Sequence, residues 1–264
     1  MRTIASLADG ELRLDQEGAI GCLSIVREAR RNALADRHWQ ALDEALGLAL
    51  EHGLRALVLT GAGACFSAGA DLEELAALRS SPPALEAAAR RVQEVQRKLE
   101  SFSLPVVAAI DGPCFGGGVG LALCCDVRLA SHSARFGLTP ARLGLRYSPR
   151  DCARLVASIG LAATRRLLIG GESIGAEEAL RIKLVDELLP PERLLPRAFE
   201  IARRWLSMAP KALAGMRRSL ACLVDSVARA AEPLWGEFYA SFASEEFREG
   251  VAAFLERREA NWPS

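Results

Sequence analysis

The chain has 264 residues, half of them hydrophobic and a quarter charged, an ordinary composition for a folded protein with a sizeable core. Its 33 lysines and arginines balance 33 aspartates and glutamates, so no net field draws it to nucleic acid or to an anionic membrane. Seven cysteines without a CxxC pair, no leader-like apolar run and no stretch long enough to span a bilayer lead to the expectation of a cytoplasmic protein with reduced core thiols.

Leu12 to Leu14 and Gly21 to Ile25 read as an N-terminal strand pair, and Leu34, Trp39, Leu42, Leu46 and Leu50 then recur at helical spacing with Asp36 as the expected cap. Leu57 to Thr60 form an apolar strand that runs into Gly61-Ala62-Gly63-Ala64-Cys65-Phe66-Ser67-Ala68-Gly69-Ala70-Asp71. The helical pattern of Leu72, Leu75 and Leu78 follows, and Asp71 can cap it. Pro82-Pro83 reads as a mobile loop before a long amphipathic helix through Leu85, Val92, Val95 and Leu99. Val106 to Ile110 form a second buried strand, followed by Asp111-Gly112-Pro113-Cys114-Phe115-Gly116-Gly117-Gly118-Val119-Gly120 and a helix that Asp126 ends. After a strand at Val127 to Ala130, alternation continues to Pro190. Helical patterns then cover Leu194 to Met208, Lys211 to Leu223, Val227 to Ala240 and Glu245 to Glu259. The expected division is an α/β core over 1–190 and a helical region over 191–264.

The two glycine-bearing corners carry the chemistry. Glycine inside a helix costs about 1 kcal/mol relative to alanine, so three at a helix start imply close approach of the backbone to something. Unpaired N–H groups at a helix start favour negative charge. Two such corners can each aim one N–H at a single oxygen, the construction of an oxyanion hole.

These residues resemble the crotonase, or enoyl-CoA hydratase/isomerase, superfamily. The segments that carry the likeness are Arg27 to Leu34 (REARRNAL), Phe66 to Asp71 (FSAGAD), Asp111 to Asp126 (DGPCFGGGVGLALCCD), Phe136 to Tyr147 (FGLTPARLGLRY), Gly170 to Asp186 (GGESIGAEEALRIKLVD) and Phe247 to Trp262 (FREGVAAFLERREANW), in that order along nearly the whole chain. The resemblance implies a crotonase-like spiral of ββα units with a helical C-terminal trimerisation region, and assembly as a homotrimer or hexamer. It implies an acyl-CoA thioester as substrate, coenzyme A being part of that substrate and no separate cofactor being needed. The backbone N–H groups of Ala70 and Gly117 would hold the thioester oxygen. Ala68 and Asp71 of the first loop would line the substrate, Arg27 and Arg31 would contact coenzyme A, and Phe254 and Arg257 would meet its nucleotide.

One absence separates this chain from the family's hydratases, which use a glutamate three residues after the middle glycine of GGG and another four after the phenylalanine of the FG segment. Those positions hold Gly120 and Pro140, and neither can exchange a proton. Ordinary crotonyl-CoA hydration is therefore not expected. Asp151, at the start of a helix near the expected acyl pocket, has two readings: a replacement for the missing carboxylate, or an acidic residue favoured by the helix dipole. The segment Thr139 to Tyr147 resembles TPxxLGxxY of methylmalonyl-CoA decarboxylase. On that likeness Arg146 or Tyr147 would anchor a departing carboxylate.

Two further classes compete. A dinucleotide enzyme would need glycine or alanine where Phe66 stands in the pattern begun by Gly61 and Gly63. A non-catalytic acyl-CoA binder would keep the thioester cradle and lose the proton-transfer groups. His38, His52 and His132 lack metal-ligand spacing, so no metal is expected.

Overall fold

The computed structural model describes residues 1–78 and 81–263. Strands β1 (Arg2–Leu7), β2 (Leu12–Glu17) and β3 (Ile20–Ile25) form an antiparallel meander. The sequence reading misses β1 because Arg2, Thr3 and Ser6 are exposed and no residue of the strand is fully buried; its pairing with β2 makes it a strand. Helix α1 (Asp36–Glu51) leads to β4 (Ala56–Gly61), and α2 (Leu72–Leu78) and α3 (Pro82–Glu100) lead to β5 (Val106–Ile110). Next come β6 (Pro113–Phe115), α4 (Gly117–Leu123), β7 (Val127–Ser131), β8 (Arg135–Gly137) and α5 (Pro149–Gly170), then β9 (Ser173–Gly175), α6 (Ala176–Arg181) and β10 (Glu187–Leu189). Helices α7 (Pro191–Leu206), α8 (Pro210–Ala230), α9 (Pro233–Ser241) and α10 (Glu245–Glu256) complete the chain.

The main sheet has seven strands in the order β1-β2-β3-β4-β5-β7-β10, parallel from β3 onward; β6, β8 and β9 form a small second sheet. Its central strands are covered on both faces, which is why β4 and β5 read as unbroken apolar runs. Successive side chains alternate between two cores. Leu57, Leu59, Val106 and Ala108 pack with Trp39, Leu42, Leu46 and Leu99 of α1 and α3, whereas Ala56, Val58, Val107 and Ala109 pack with Leu194, Ala198 and Phe199 of α7. Helix α7 is thus part of the sheet's packing, and burying a side chain such as Phe199 contributes about 2–3 kcal/mol.

Two proline positions depart from the sequence reading. Pro82 and Pro83 form the first turn of α3 instead of a loop, because proline's fixed φ suits a helix start and its missing N–H is not needed there. The helix expected over 227–240 is divided, with α8 continuing to Ala230 and α9 starting at Pro233. A third cluster, Leu75, Leu85, Phe247 and Val251, fastens α10 against α2 and α3. Gly250 and Gly144 allow the backbones of α10 and the turn at 140–143 to touch: a Cβ on Gly250 would lie 2.4 Å from the Leu143 carbonyl carbon.

Candidate active site

The first corner leaves β4 and forms a single parallel bridge between Leu34 and Ala70. Leu34 N–H donates to Gly69 O at 2.7 Å and Asp71 N–H donates to Leu34 O at 3.1 Å. In such a bridge the residues flanking Ala70 bond to Leu34, so the N–H of Ala70 itself points the other way. It has no acceptor among the described residues. The backbone turns here at Gly69, with φ of 94°, a conformation that suits glycine. A Cβ at Gly69 would also lie 2.7 Å from Phe115 O and 3.3 Å from Gly117 N.

The second corner arrives from β5 and β6. Ser67 N–H donates to Pro113 O at 3.1 Å and Phe115 N–H donates to Ser67 O at 2.9 Å, which stitches the two corners together. Gly117 opens α4, so its N–H is one of the orphans of a helix start, again without an acceptor among the described residues. A Cβ built on Gly117 would stand 3.9 Å from Ala70 N. Two main-chain donors from different loops are therefore neighbours, Ala70 exposed and Gly117 half-buried. The carbonyl of the Gly116-Gly117 peptide accepts from Gly120 N–H at 3.1 Å and, at a long 3.4 Å, from the Tyr147 hydroxyl, which orients the same peptide's N–H. Burial pushes the Tyr147 phenol well above its ordinary range, so it remains a donor.

One turn along α4, the absent side chain of Gly120 is replaced in space by neighbours. A Cβ there would lie 2.6 Å from Gln96 Nε2 on α3 and 3.2 Å from Asp151 Oδ1 on α5. Asp151 is thus beside the first glutamate position of the hydratases, as one of its two readings requires. Its carboxylate is also engaged: Arg154 donates to Oδ1 at 2.7 Å, and Gln93 and Ser148 donate to Oδ2 at 3.1 and 2.6 Å. The Asp151 N–H donates to Ser148 Oγ, the N-cap of α5. Arg154 is 2% exposed and donates further to Gln96 Oε1 at 2.9 Å and to both oxygens of Glu100. Arg150 also donates to Glu100 and to Asp225, so the cluster couples two guanidinium groups to three carboxylates.

Gln93, Gln96, Glu100 and Arg154 are absent from the residues singled out by sequence. A signal existed, because Gln93, Gln96 and Glu100 recur at the helical spacing of Val92, Val95 and Leu99. Polar residues beside an apolar stripe read as its solvated edge. Packing against α4 and the side chains of α5 buries them.

The expected coenzyme A contacts divide. Arg27 is not available as a free cation: it donates to Asp71 at 2.6 Å, to Glu11 at 3.2 Å and to Ala33 O at 3.0 Å, and its side chain is nearly buried. Asp71 is correspondingly a structural group. Its Oδ1 caps α2 by accepting from Glu73 and Glu74 N–H, and although burial alone would raise its carboxyl, Arg27 and these amides hold it below its ordinary value. Arg31 is exposed, forms no ion pair among the described residues, and accepts on its carbonyl from Ala68 N–H at 2.9 Å. It is therefore a cation beside the first corner. Arg146 corrects another expectation: its guanidinium is exposed and pairs with Glu237 of α9. Of the two carboxylate anchors considered, Tyr147 alone reaches the glycine corner. Phe254 and Arg257 lie exposed at the C-terminal end of α10, the helix fastened against α2.

Helix α4 ends at Leu123, three residues before Asp126, so Asp126 does not terminate it; Asp126 instead accepts from Arg217 and Val106 N–H just ahead of β7. The thiols of Cys114, Cys124 and Cys125 are sealed in the core, and burial pushes Cys124 up to about 12. His38 is fully buried, accepting from Ala35 N–H and facing Glu11. Among the described residues no cluster of three metal-ligating side chains occurs, and no helix is long and apolar enough to cross a membrane.

A partly parallel sheet flanked by helices, with two glycine corners meeting at the carboxyl ends of adjacent strands, defines a protein of the crotonase fold. Residues 15–264 match the family model described as enoyl-CoA hydratase/isomerase, and the chain belongs to that family. It is 35% identical to crotonyl-CoA hydratase of Syntrophomonas wolfei, over 95% of this chain and 97% of that one. It is 32% identical to short-chain-enoyl-CoA hydratase of Clostridium acetobutylicum, over 93% and 94%. Among solved structures, methylmalonyl-CoA decarboxylase in complex with 2-nitronate-propionyl-CoA superposes with a TM-score of 0.82 at 23% identity, over 96% and 98%, a likeness of fold.

Proposed function

We propose that the protein binds an acyl-CoA thioester and stabilises its enolate between the N–H groups of Ala70 and Gly117, without catalysing standard hydration of crotonyl-CoA. The observation that carries this reading is the proximity of two main-chain donors that have no acceptor among the described residues. A thioester oxygen gains charge as its α-proton leaves, and donors fixed in advance favour that state without reorganising. Asp151 is the proton-accepting group of this proposal, and Arg31, an exposed cation beside the first corner, is the group for the phosphates of coenzyme A. The relatives named as hydratases suggest an enoyl substrate. The pair Gly120 and Pro140 argues against their reaction, since activating water and delivering the α-proton needs two positioned proton carriers. Decarboxylation, which makes the same enolate without C–H abstraction, has weaker support now that Arg146 is directed to Glu237.

Incubation with enoyl-, malonyl- and 3-oxoacyl-CoA esters in deuterated water, read by mass spectrometry, tests the proposal. Deuterium is expected at the α-carbon of at least one ester, with crotonyl-CoA left unhydrated. Hydration of crotonyl-CoA at an ordinary hydratase rate would refute the argument from absence. Binding without any exchange would identify a non-catalytic binder.

The chain is further proposed to assemble as a homotrimer or hexamer in the cytoplasm, with coenzyme A entering as part of the substrate and no other cofactor. Met216, Leu220, Leu223 and Val227 form an apolar stripe along α8 that remains more than half exposed, larger than isolated surface residues account for. Sedimentation is expected to give a trimer or hexamer, and the paired change Leu220→Glu and Leu223→Glu a smaller species. A monomer for the unaltered protein would overturn this assembly.

A further inference from the structure

Gln96 is 1% exposed and its carboxamide orientation is determined by chemistry. Arg154 can only donate, so the oxygen it meets at 2.9 Å is Oε1, and Nε2 must point away from it. Nε2 donates to no acceptor among the described residues. Among the described residues every side-chain polar atom sealed from solvent has a partner, so this unpartnered Nε2 is not fully sealed. Nε2 takes the place of a side chain at Gly120, where a Cβ would lie 2.6 Å from it. Gly120 stands three residues, about 4.5 Å of helix rise, from the Gly117 amide.

We infer that Gln96 is a specificity-determining residue, which donates from Nε2 to an acceptor oxygen on the β-carbon of the acyl chain and so favours 3-oxoacyl thioesters. The inference rests on the acyl-CoA reading of the Ala70 and Gly117 cradle. A donor one helical turn from the thioester oxygen's place matches a substituent two carbons along the chain. It also fits the loss of the glutamate pair, because an α-proton flanked by two carbonyls is far more acidic than one beside a thioester alone and asks less of a base. An acyl group without that oxygen leaves a nearly buried donor unpaired, which costs roughly 10- to 100-fold in affinity.

Titration calorimetry with 3-oxobutanoyl-CoA and butanoyl-CoA tests this. The unaltered protein is expected to bind the 3-oxo ester roughly 10- to 100-fold more tightly. Gln96→Met, which removes the donor at similar volume, should bring the two within about threefold, chiefly by strengthening butanoyl-CoA binding, since no donor is then left unpaired. Gly120→Ala keeps Gln96 bonded to Arg154 but places a methyl against Nε2, so it should erode the same preference and serves if Gln96→Met does not fold. Equal affinities in the unaltered protein, or a preference that survives a folded variant of either kind, would overturn the role of Gln96 and leave the cradle standing. Binding of neither ester would overturn the cradle and this inference with it.

Discussion

Replacing the Ala70 amide by an ester, with lactic acid in place of alanine, is expected to slow α-proton exchange by roughly 10²- to 10³-fold, or about 3–4 kcal/mol of transition-state stabilisation. The exchange removes the N–H and weakens the Gly69 carbonyl that accepts from Leu34 N–H, and a side-chain substitution cannot remove a backbone donor at all. Because that N–H has no acceptor among the described residues, the cost to the fold should be confined to the weakened Leu34 to Gly69 bond, about 1 kcal/mol or a few degrees in thermal unfolding. Ground-state affinity for the thioester should also change little, since the donor works hardest when the oxygen is charged. Glycolic acid at Gly117 should behave alike. The double ester should cost less than the product of the two effects, as groups acting on one oxygen are not additive. Unchanged exchange in both single esters would remove the oxyanion hole from the account.

Arg154→Met is expected to destabilise the protein by about 3–5 kcal/mol, read from urea unfolding. The guanidinium is 2% exposed and meets Asp151, Gln96 and both oxygens of Glu100. Its loss would leave Asp151 buried with only neutral donors, whereas Glu100 would keep Arg150. Adding Asp151→Asn to Arg154→Met should therefore recover part of the loss, since it removes the stranded charge; the coupling is expected at about 1–3 kcal/mol. Independent, additive effects would mean that the pair is not coupled. The same cycle bears on the two readings of Asp151. If its role is only to balance Arg154, the double variant should exchange α-protons as fast as Arg154→Met alone; if it accepts the proton, exchange should vanish whatever the stability.

Much of this molecule was legible without coordinates, because local pattern and tertiary requirement agree along β4, β5 and the two glycine corners. A central parallel strand must be apolar on both faces, and a corner that brings backbone within 4 Å of backbone must use glycine; both demands are written residue by residue. Asp71 as the cap of α2 and Asp151 at the start of α5 were readable for the same reason, since such residues act within a turn of their own helix. Strand β1 was hidden, having no apolar run of its own and depending on β2 to be a strand at all.

The sequence by itself determined the family, through the resemblance of its ordered segments, and it determined β4, β5 and the two glycine corners, since those follow from short-range spacing of glycine and apolar residues. Only the tertiary structure decided which charges are free and what fills the gap at Gly120. Arg27 and Arg31 look equivalent four residues apart, yet a carboxylate 44 positions away from Arg27 in sequence consumes it. Gln96 and Asp151, 55 positions apart, meet at one missing side chain. Charge pairing and cavity filling depend on distances in space, and those are set by how α3 and α5 pack, not by either helix alone.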